Sequence, residues 1–138
     1  MANLFKLTIH TPESTVLDED VVSVTAPGSE GYLGILAHHA PLITALVPGK
    51  LSIRLANDKM DDYALSGGFL EVADNHATLL ADACEHVTDI DVARAREAEK
   101  RARRRLDSQE ENVNTARAEA ALERAVNRIK LGSEIGRN

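Results

Sequence analysis

Four arginines in the second half of the chain are the residues whose type and spacing could do chemistry. Arg94 and Arg101 stand seven residues apart and Arg124 and Arg128 four apart, within a stretch free of Gly and Pro from Asp91 to Leu131. Residues at these intervals share one face of an α-helix. Guanidinium groups gathered along one groove repel each other unless an anion lies between them, and their planar, forked donors suit phosphate oxygens. The same arginines also fit a solvated helix face laced with Glu–Arg pairs. No other constellation suggests covalent or acid–base catalysis. PGSEGYLG at 27–34 is no phosphate loop, having neither Gly-Lys-Ser/Thr nor G-x-G-x-x-G. The adjacent His38 and His39 point apart and have no third metal ligand nearby in sequence. Cys84 has no His partner in sequence, and Ser66-Gly67-Gly68 lacks the frame of a nucleophile elbow.

The elements that would position the arginines are two helices. Asp89 and Asp91 are good N-caps, and their charge suits the positive end of a helix dipole. Helix one is expected from Asp91 to Ser108, followed by a short polar link through Asn112. Helix two, capped by Asn114 or Thr115, is expected to run to about Leu131, with Gly132 as its stop. Ala95, Ala98 and Ala102 on the first helix and Ala118, Ala121 and Ala125 on the second make the facing surfaces of an antiparallel hairpin, with Leu106, Leu122, Val126 and Ile129 as larger contacts. Such a seam buries little area, so a competing surface could open it.

The first half reads as strands. LFKLTIH at 4–10 alternates, and Thr11-Pro12-Glu13-Ser14 turns the chain. Val16-Leu17 and 21–26 are short β-branched runs separated by Asp18-Glu19-Asp20. Residues 27–34 suit a loop or tight hairpin. Pro41 and Pro48-Gly49 bracket LITALV at 42–47, LSIRL at 51–55 alternates again, and Asn57-Asp58 suits a hairpin turn. Residues 64–72 contain Gly67-Gly68, the mark of a bulge or a close backbone approach. Asp74-Asn75 turns the chain into ATLLADACE at 77–85. Fold class is therefore an all-β sandwich or barrel over residues 1–87, followed by an α-helical hairpin over 88–138.

Charge divides the same way. The net −6 splits into −9 for residues 1–90 and +3 for residues 91–138, which implies halves with different roles. A hydrophobic content of 43% supports a packed core. The four aromatics, Phe5, Tyr32, Tyr63 and Phe69, offer little for stacking bases. A nucleic-acid-binding module using the basic helix is the alternative reading, and the acidic balance speaks against it. The single cysteine suits a reducing compartment, and neither a signal-peptide layout nor an apolar run of membrane-spanning length is seen, so a cytoplasmic chain is expected.

These residues also resemble a known family. SGGFLEV at 66–72, GILAHHAPL at 34–42 and IDVARA at 90–95 are similar to segments of the epsilon subunits of bacterial F-type ATP synthases, the last to their nucleotide-binding signature Ile/Leu-Asp-x-x-Arg-Ala. The segment at 34–42 departs in one place, with Ala37-His38 where the family usually has Pro-Gly before the histidine, here His39. The resemblance implies a regulatory ATP site formed by Glu85, Ile90, Asp91, Arg94, Ala95, Arg101, Arg124 and Arg128, with no metal or prosthetic group. It implies a non-catalytic rotor subunit whose sandwich meets the gamma subunit through His39 and Thr44 and the c-ring through Glu30 and Gly31. It further implies a hairpin that unfolds upward to inhibit hydrolysis, its basic Arg103, Arg104 and Arg105 meeting the alpha and beta subunits. The place implied is the cytoplasmic face of the bacterial membrane, held peripherally through the complex.

Overall fold

Alternation of apolar and polar residues builds the first of two compact units, Met1–His86. The computed structural model describes residues 3–108 and 114–134. The strands are β1 (Phe5–His10), β2 (Thr15–Gly28), β3 (Gly31–Leu36), β4 (Leu42–Leu55), β5 (Met60–Ala73), β6 (His76–Ala81) and β7 (Cys84–His86). They pair in the order β1-β6-β5-β4-β2-β3, with β7 on β5 and β1 also on β2, so β1 closes the sheet upon itself. The β1–β6 pairing is parallel and the β1–β2 pairing antiparallel. Inside this closed sandwich Leu7, Ile9, Val21, Val24, Ile35, Leu51, Ile53, Leu65, Leu70 and Leu79 are fully buried. Each such aliphatic side chain contributes about 2 kcal/mol through loss of contact with water.

Two strands run on where the sequence suggests a break. The acids at 18–20 do not divide β2, because Asp18, Glu19 and Asp20 stand opposite Thr8, Leu7 and Lys6 of β1. Lys6 Nζ lies 3.1 Å from Asp18 Oδ1, and its hydrogen bond holds the Asp18 carboxyl below the usual carboxylate range. Pro48-Gly49 is likewise no turn but part of β4. The β2–β4 register slips between Thr25 and Gly28, and a bulge there tolerates a residue without an N–H. A methyl group on Gly49 would meet Pro27 Cβ at 2.7 Å and the Tyr32 hydroxyl at 2.8 Å, so the bulge is packed against the β2–β3 hairpin. Residues 27–34 form that hairpin, with Gly28 opposite Gly31 across Ser29-Glu30.

Gly67-Gly68 is a close backbone approach, as its pattern suggests. Gly68 has φ +148°, and a side chain there would run into the Leu80 carbonyl. Here β5 changes partner: Gly68 is paired to Ala81 of β6, and Leu65 to Cys84 of β7. The run 77–85 is accordingly two strands with a bend between them. Asp58, Asp74 and Asn75 all have positive φ, and the Asp74-Asn75 turn joins Ala73 to His76 directly.

The second unit, Val87–Asn138, opens with a 3-10 turn at Val87–Asp89 and continues with α1 (Val92–Asp107) and α2 (Thr115–Glu134). Asp91 caps α1, its Oδ1 accepting the Arg94 N–H at 3.0 Å, and Asn114 caps α2 by accepting from Arg117 N–H at 3.0 Å. Asp89 lies in the 3-10 turn instead of capping α1. Ser108 ends α1, its N–H reaching the carbonyls of Arg104 and Arg105. Of the expected link, residues 109–112 lie outside the described residues. Gly132 does not stop α2. It lies inside the helix, where a Cβ would be 2.7 Å from Val92 Cγ2 and 3.0 Å from Ile90 Cγ2. The end of α2 thus lies against the start of α1, which makes the pair antiparallel.

Because the first unit holds its own core, a chain ending at Val87 is expected to fold and melt cooperatively as a β protein. Far-ultraviolet circular dichroism during a thermal scan checks this; a spectrum of unfolded chain would show that the sandwich needs the helices.

Candidate functional site

Each helix carries a stripe of small buried residues at seven-residue spacing, Ala95 and Ala102 on α1 and Ala118 and Ala125 on α2. Successive helical residues turn by about 100°. Arg94 and Arg101 each precede a stripe alanine by one residue, and so does Arg124. Arg128 follows Ala125 by three residues and lies about 60° back from the stripe on the same side. In an antiparallel pair, the sides turned back from each stripe come to one common flank. The contact of Gly132 with Ile90 and Val92 then fixes the level. Arg94 stands beside Arg128, and Arg101 beside Arg124, to within about one turn. Arg94, Arg101 and Arg124 are exposed, whereas Arg128 is half-buried. The flank can therefore offer several forked donors to one elongated anion.

The other residues of the set have different duties. Asp91 is exposed and uses one carboxylate oxygen on the helix cap. Ile90 is half-buried and packs on Gly132, and Ala95 is fully buried, so both contribute closeness between the helices. Glu85 belongs to the strand unit, half-buried on β7 opposite Ala64. Its neighbour His86 lies with Nε2 3.2 Å from Asp61 Oδ1 and its ring edge-on to Tyr63, which fastens β7 to β5. Burial, together with the Glu85 charge, pushes the Cys84 thiol up to about 12, which favours the protonated thiol.

Arg103, Arg104 and Arg105 are exposed but do not line one face. Being consecutive, they fan around the end of α1 through about 200°. Arg103 lies 3.6 Å from Glu99 one turn back, and Arg105 turns to the flank of Arg94 and Arg101. Arg104 and Arg105 sit in the last turn, where positive charge is favoured by the helix dipole.

On the strand unit Glu30 is exposed at the tip of the β2–β3 hairpin, beside Gly31 with φ +131°. His39 lies in the turn after β3, its N–H donating to Leu36 O at 3.2 Å and its Nδ1 2.7 Å from Ala40 O. Neighbouring His38 donates its N–H to Asn75 Oδ1 at 2.7 Å. Among the described residues no group of three or more His, Cys, Asp or Glu is placed to hold a metal. Thr44 is half-buried and in strand alternation shares its side with Leu42 and Leu46, away from its neighbours Ile43 and Ala45. That opposite side carries what sequence reasoning missed. Ala45, Phe69 and Leu80 stand in one cross-strand row over β4, β5 and β6, with Ile43 beside them. Ile43, Phe69 and Leu80 are 76%, 60% and 55% exposed. Contiguous exposed apolar side chains of this kind mark a docking surface. The signal was present, since Phe69 shares the solvent phase of β5 with Glu71.

Comparison with known proteins finds two family models end to end. The model for the ATP synthase delta/epsilon chain β-sandwich domain matches residues 4–87, and that for the delta/epsilon chain long α-helix domain matches residues 88–131. The ATP synthase epsilon chain of Moorella thermoacetica is 47% identical over 135 residues, covering 98% of this chain and 100% of the relative. That of Desulforamulus reducens is 46% identical over 130 residues, covering 94% of this chain and 98% of the relative. Among solved structures, a chain of the Euglena gracilis mitochondrial ATP synthase superimposes with a TM-score of 0.77 at 28% identity, covering 98% of this chain and 82% of that one. A chain of the Tetrahymena thermophila mitochondrial ATP synthase shares the fold, with a TM-score of 0.61 at 19% identity over 97% of both chains.

The cap geometry separates two roles for Asp91. Asp91→Asn keeps an acceptor for the Arg94 N–H and should leave helix stability within about 0.5 kcal/mol, whereas Asp91→Ala should cost about 1 kcal/mol. Urea titration followed by circular dichroism at 222 nm checks the difference, and equal stabilities would show that the cap contributes nothing.

Proposed function

The chain belongs to the ATP synthase delta/epsilon family, and from that premise we propose that it works as a non-catalytic epsilon-type regulator in the central stalk of an F-type enzyme. Its sandwich docks on the gamma subunit and the c-ring. Its helical hairpin binds ATP when folded and restrains ATP hydrolysis when opened toward the alpha and beta subunits. The observation that carries the nucleotide reading is the single flank holding Arg94, Arg101, Arg124 and Arg128 beside the capped start of α1. Arg105 and, by the same spacing, Arg117 turn to that flank as well, while Arg96, Arg103 and Arg104 point elsewhere. What supports the reading is therefore the matched levels of Arg94 with Arg128 and of Arg101 with Arg124.

Chemistry at that flank is binding alone. The arginines take the phosphate oxygens through charge-assisted hydrogen bonds, each contributing on the order of 1.5–3 kcal/mol. Asp91, exposed at the start of α1, is the carboxylate of the helical unit that would accept from the adenine amino group. ATP bridges the two helices and so favours the folded hairpin. At a concentration a hundred times its dissociation constant it adds about 2.7 kcal/mol, comparable to what a seam of alanines contributes.

For the stalk contacts, the apolar row of Ala45, Phe69 and Leu80 with Ile43 supports gamma docking on that side of the sandwich, with His39 close to β4 in sequence. Glu30 and Gly31, at an exposed hairpin tip, are the candidates for contact with the c-ring. Among the described residues no helix is long and apolar enough to cross a membrane. The basic end of α1 provides the charge for meeting acidic loops of the catalytic subunits.

Two measurements test the reading. Arg94→Ala should weaken ATP binding by at least about tenfold in calorimetry, since about 1.4 kcal/mol corresponds to that factor. Arg96→Ala, on the opposite flank of α1, should leave affinity nearly unchanged. Equal affinities for the wild type and both variants would make these arginines a solvated face. Separately, the assembled enzyme carrying a chain that ends at Val87 should hydrolyse ATP faster than the wild type while still assembling. Unchanged hydrolysis would remove the inhibitory role.

A further inference from the structure

Gly132 stands in line with Ala118 and Ala125 at seven-residue intervals, the last and smallest member of the α2 stripe. Its neighbours across the hairpin are Val92 and Ile90, which flank the cap residue Asp91. A methyl group at Gly132 would sit 2.7 Å from Val92 Cγ2 and 3.0 Å from Ile90 Cγ2. Both are branch methyls on Cβ, and β-branched side chains are stiff at χ1, so they cannot swing away cheaply. The helices can come this close only where α2 has no side chain.

Glycine is otherwise a poor choice inside α2. It weakens any helix relative to alanine, whether the hairpin is folded or open. Its one local gain belongs to the folded hairpin alone. We infer that Gly132 is a latch: seated against Ile90 and Val92, it holds the end of α2 at the start of α1, sets the level at which Arg94 meets Arg128, and tunes the balance between folded and open hairpin. This deepens the regulatory reading above and rests on the hairpin being able to open. In Gly132→Ala the gain in helix propensity is common to both states, and the crowding belongs to the folded state alone.

The test follows hairpin opening directly, without nucleotide, in the full chain. A Cys84→Ser background takes spin labels at Glu97→Cys and Lys130→Cys, both exposed positions turned away from the seam. Their separation is read by pulsed electron paramagnetic resonance at the urea concentration where the wild-type hairpin is half open. Overpacking of a tight contact predicts that Gly132→Ala raises the open-to-folded ratio about tenfold. Adding Val92→Ala removes the nearer of the two crowding methyls and should bring the ratio back to within about threefold of Val92→Ala alone. An unchanged ratio overturns the latch. So does a shift toward the folded form, or a full tenfold effect that persists in the Val92→Ala background. Because no ATP is present, failure of the chain to bind ATP would leave a positive result standing. ATP binding with an unmoved ratio would sink the latch alone.

Discussion

Close approach of two helices along a seam of alanines, ending at a glycine, is the constraint on which the helical unit depends. Small side chains let the backbones come near but bury little apolar surface, so the pairing is specific in register yet weak in energy. The arginines beside the seam inherit their arrangement from it. Without the seven-residue repeat of Ala95 and Ala102 against Ala118 and Ala125, Arg94 and Arg101 would have no fixed relation to Arg124 and Arg128. Gathered on one side, their charges make that flank of the hairpin cationic. A ligand that bridged both helices would, by linkage, favour the folded hairpin.

The strand unit is built on the opposite principle. Its core is aliphatic, fully buried and closed by β1, which pairs with β2 on one side and β6 on the other. Nothing in it resembles the marginal seam of the hairpin. Long strands β4 and β5 carry the burial inward and, by alternation, turn Ile43, Ala45 and Phe69 outward. A rigid platform with one apolar side suits permanent attachment. A lightly held hairpin with one cationic flank suits reversible binding. The charge division, −9 against +3, follows the same boundary.

Backbone exceptions sit where these units need them. Gly68 lets β5 change partners from β6 to β7, and β7 is the last strand before the helices. The Pro48-Gly49 bulge brings β4 against the β2–β3 hairpin that presents Glu30. Gly132 allows α2 to touch the start of α1. At each position the absence of a side chain or an N–H weakens the element locally and permits a contact between elements.

Much of this was legible in the residues alone. Period-2 and period-3.6 patterns, Asn and Asp in the turns, and the caps Asp91 and Asn114 act over a few residues, so strands, turns and helices could be assigned from local spacing. What local spacing could not assign depended on partners distant in the chain. Asp18-Glu19-Asp20 looked like a break until β1 supplied Lys6 and Thr8 opposite them, and Pro48-Gly49 looked like a turn until the slipped register of β2 made it a bulge. Gly132 read as a helix stop because Ile90 and Val92, forty residues away, gave no sign of needing its empty space. The identities of the four arginines were plain from the sequence, and so was their spacing within each helix. Their gathering on one flank came from the antiparallel seam, because helical periodicity sets directions within a helix and only packing relates one helix to another.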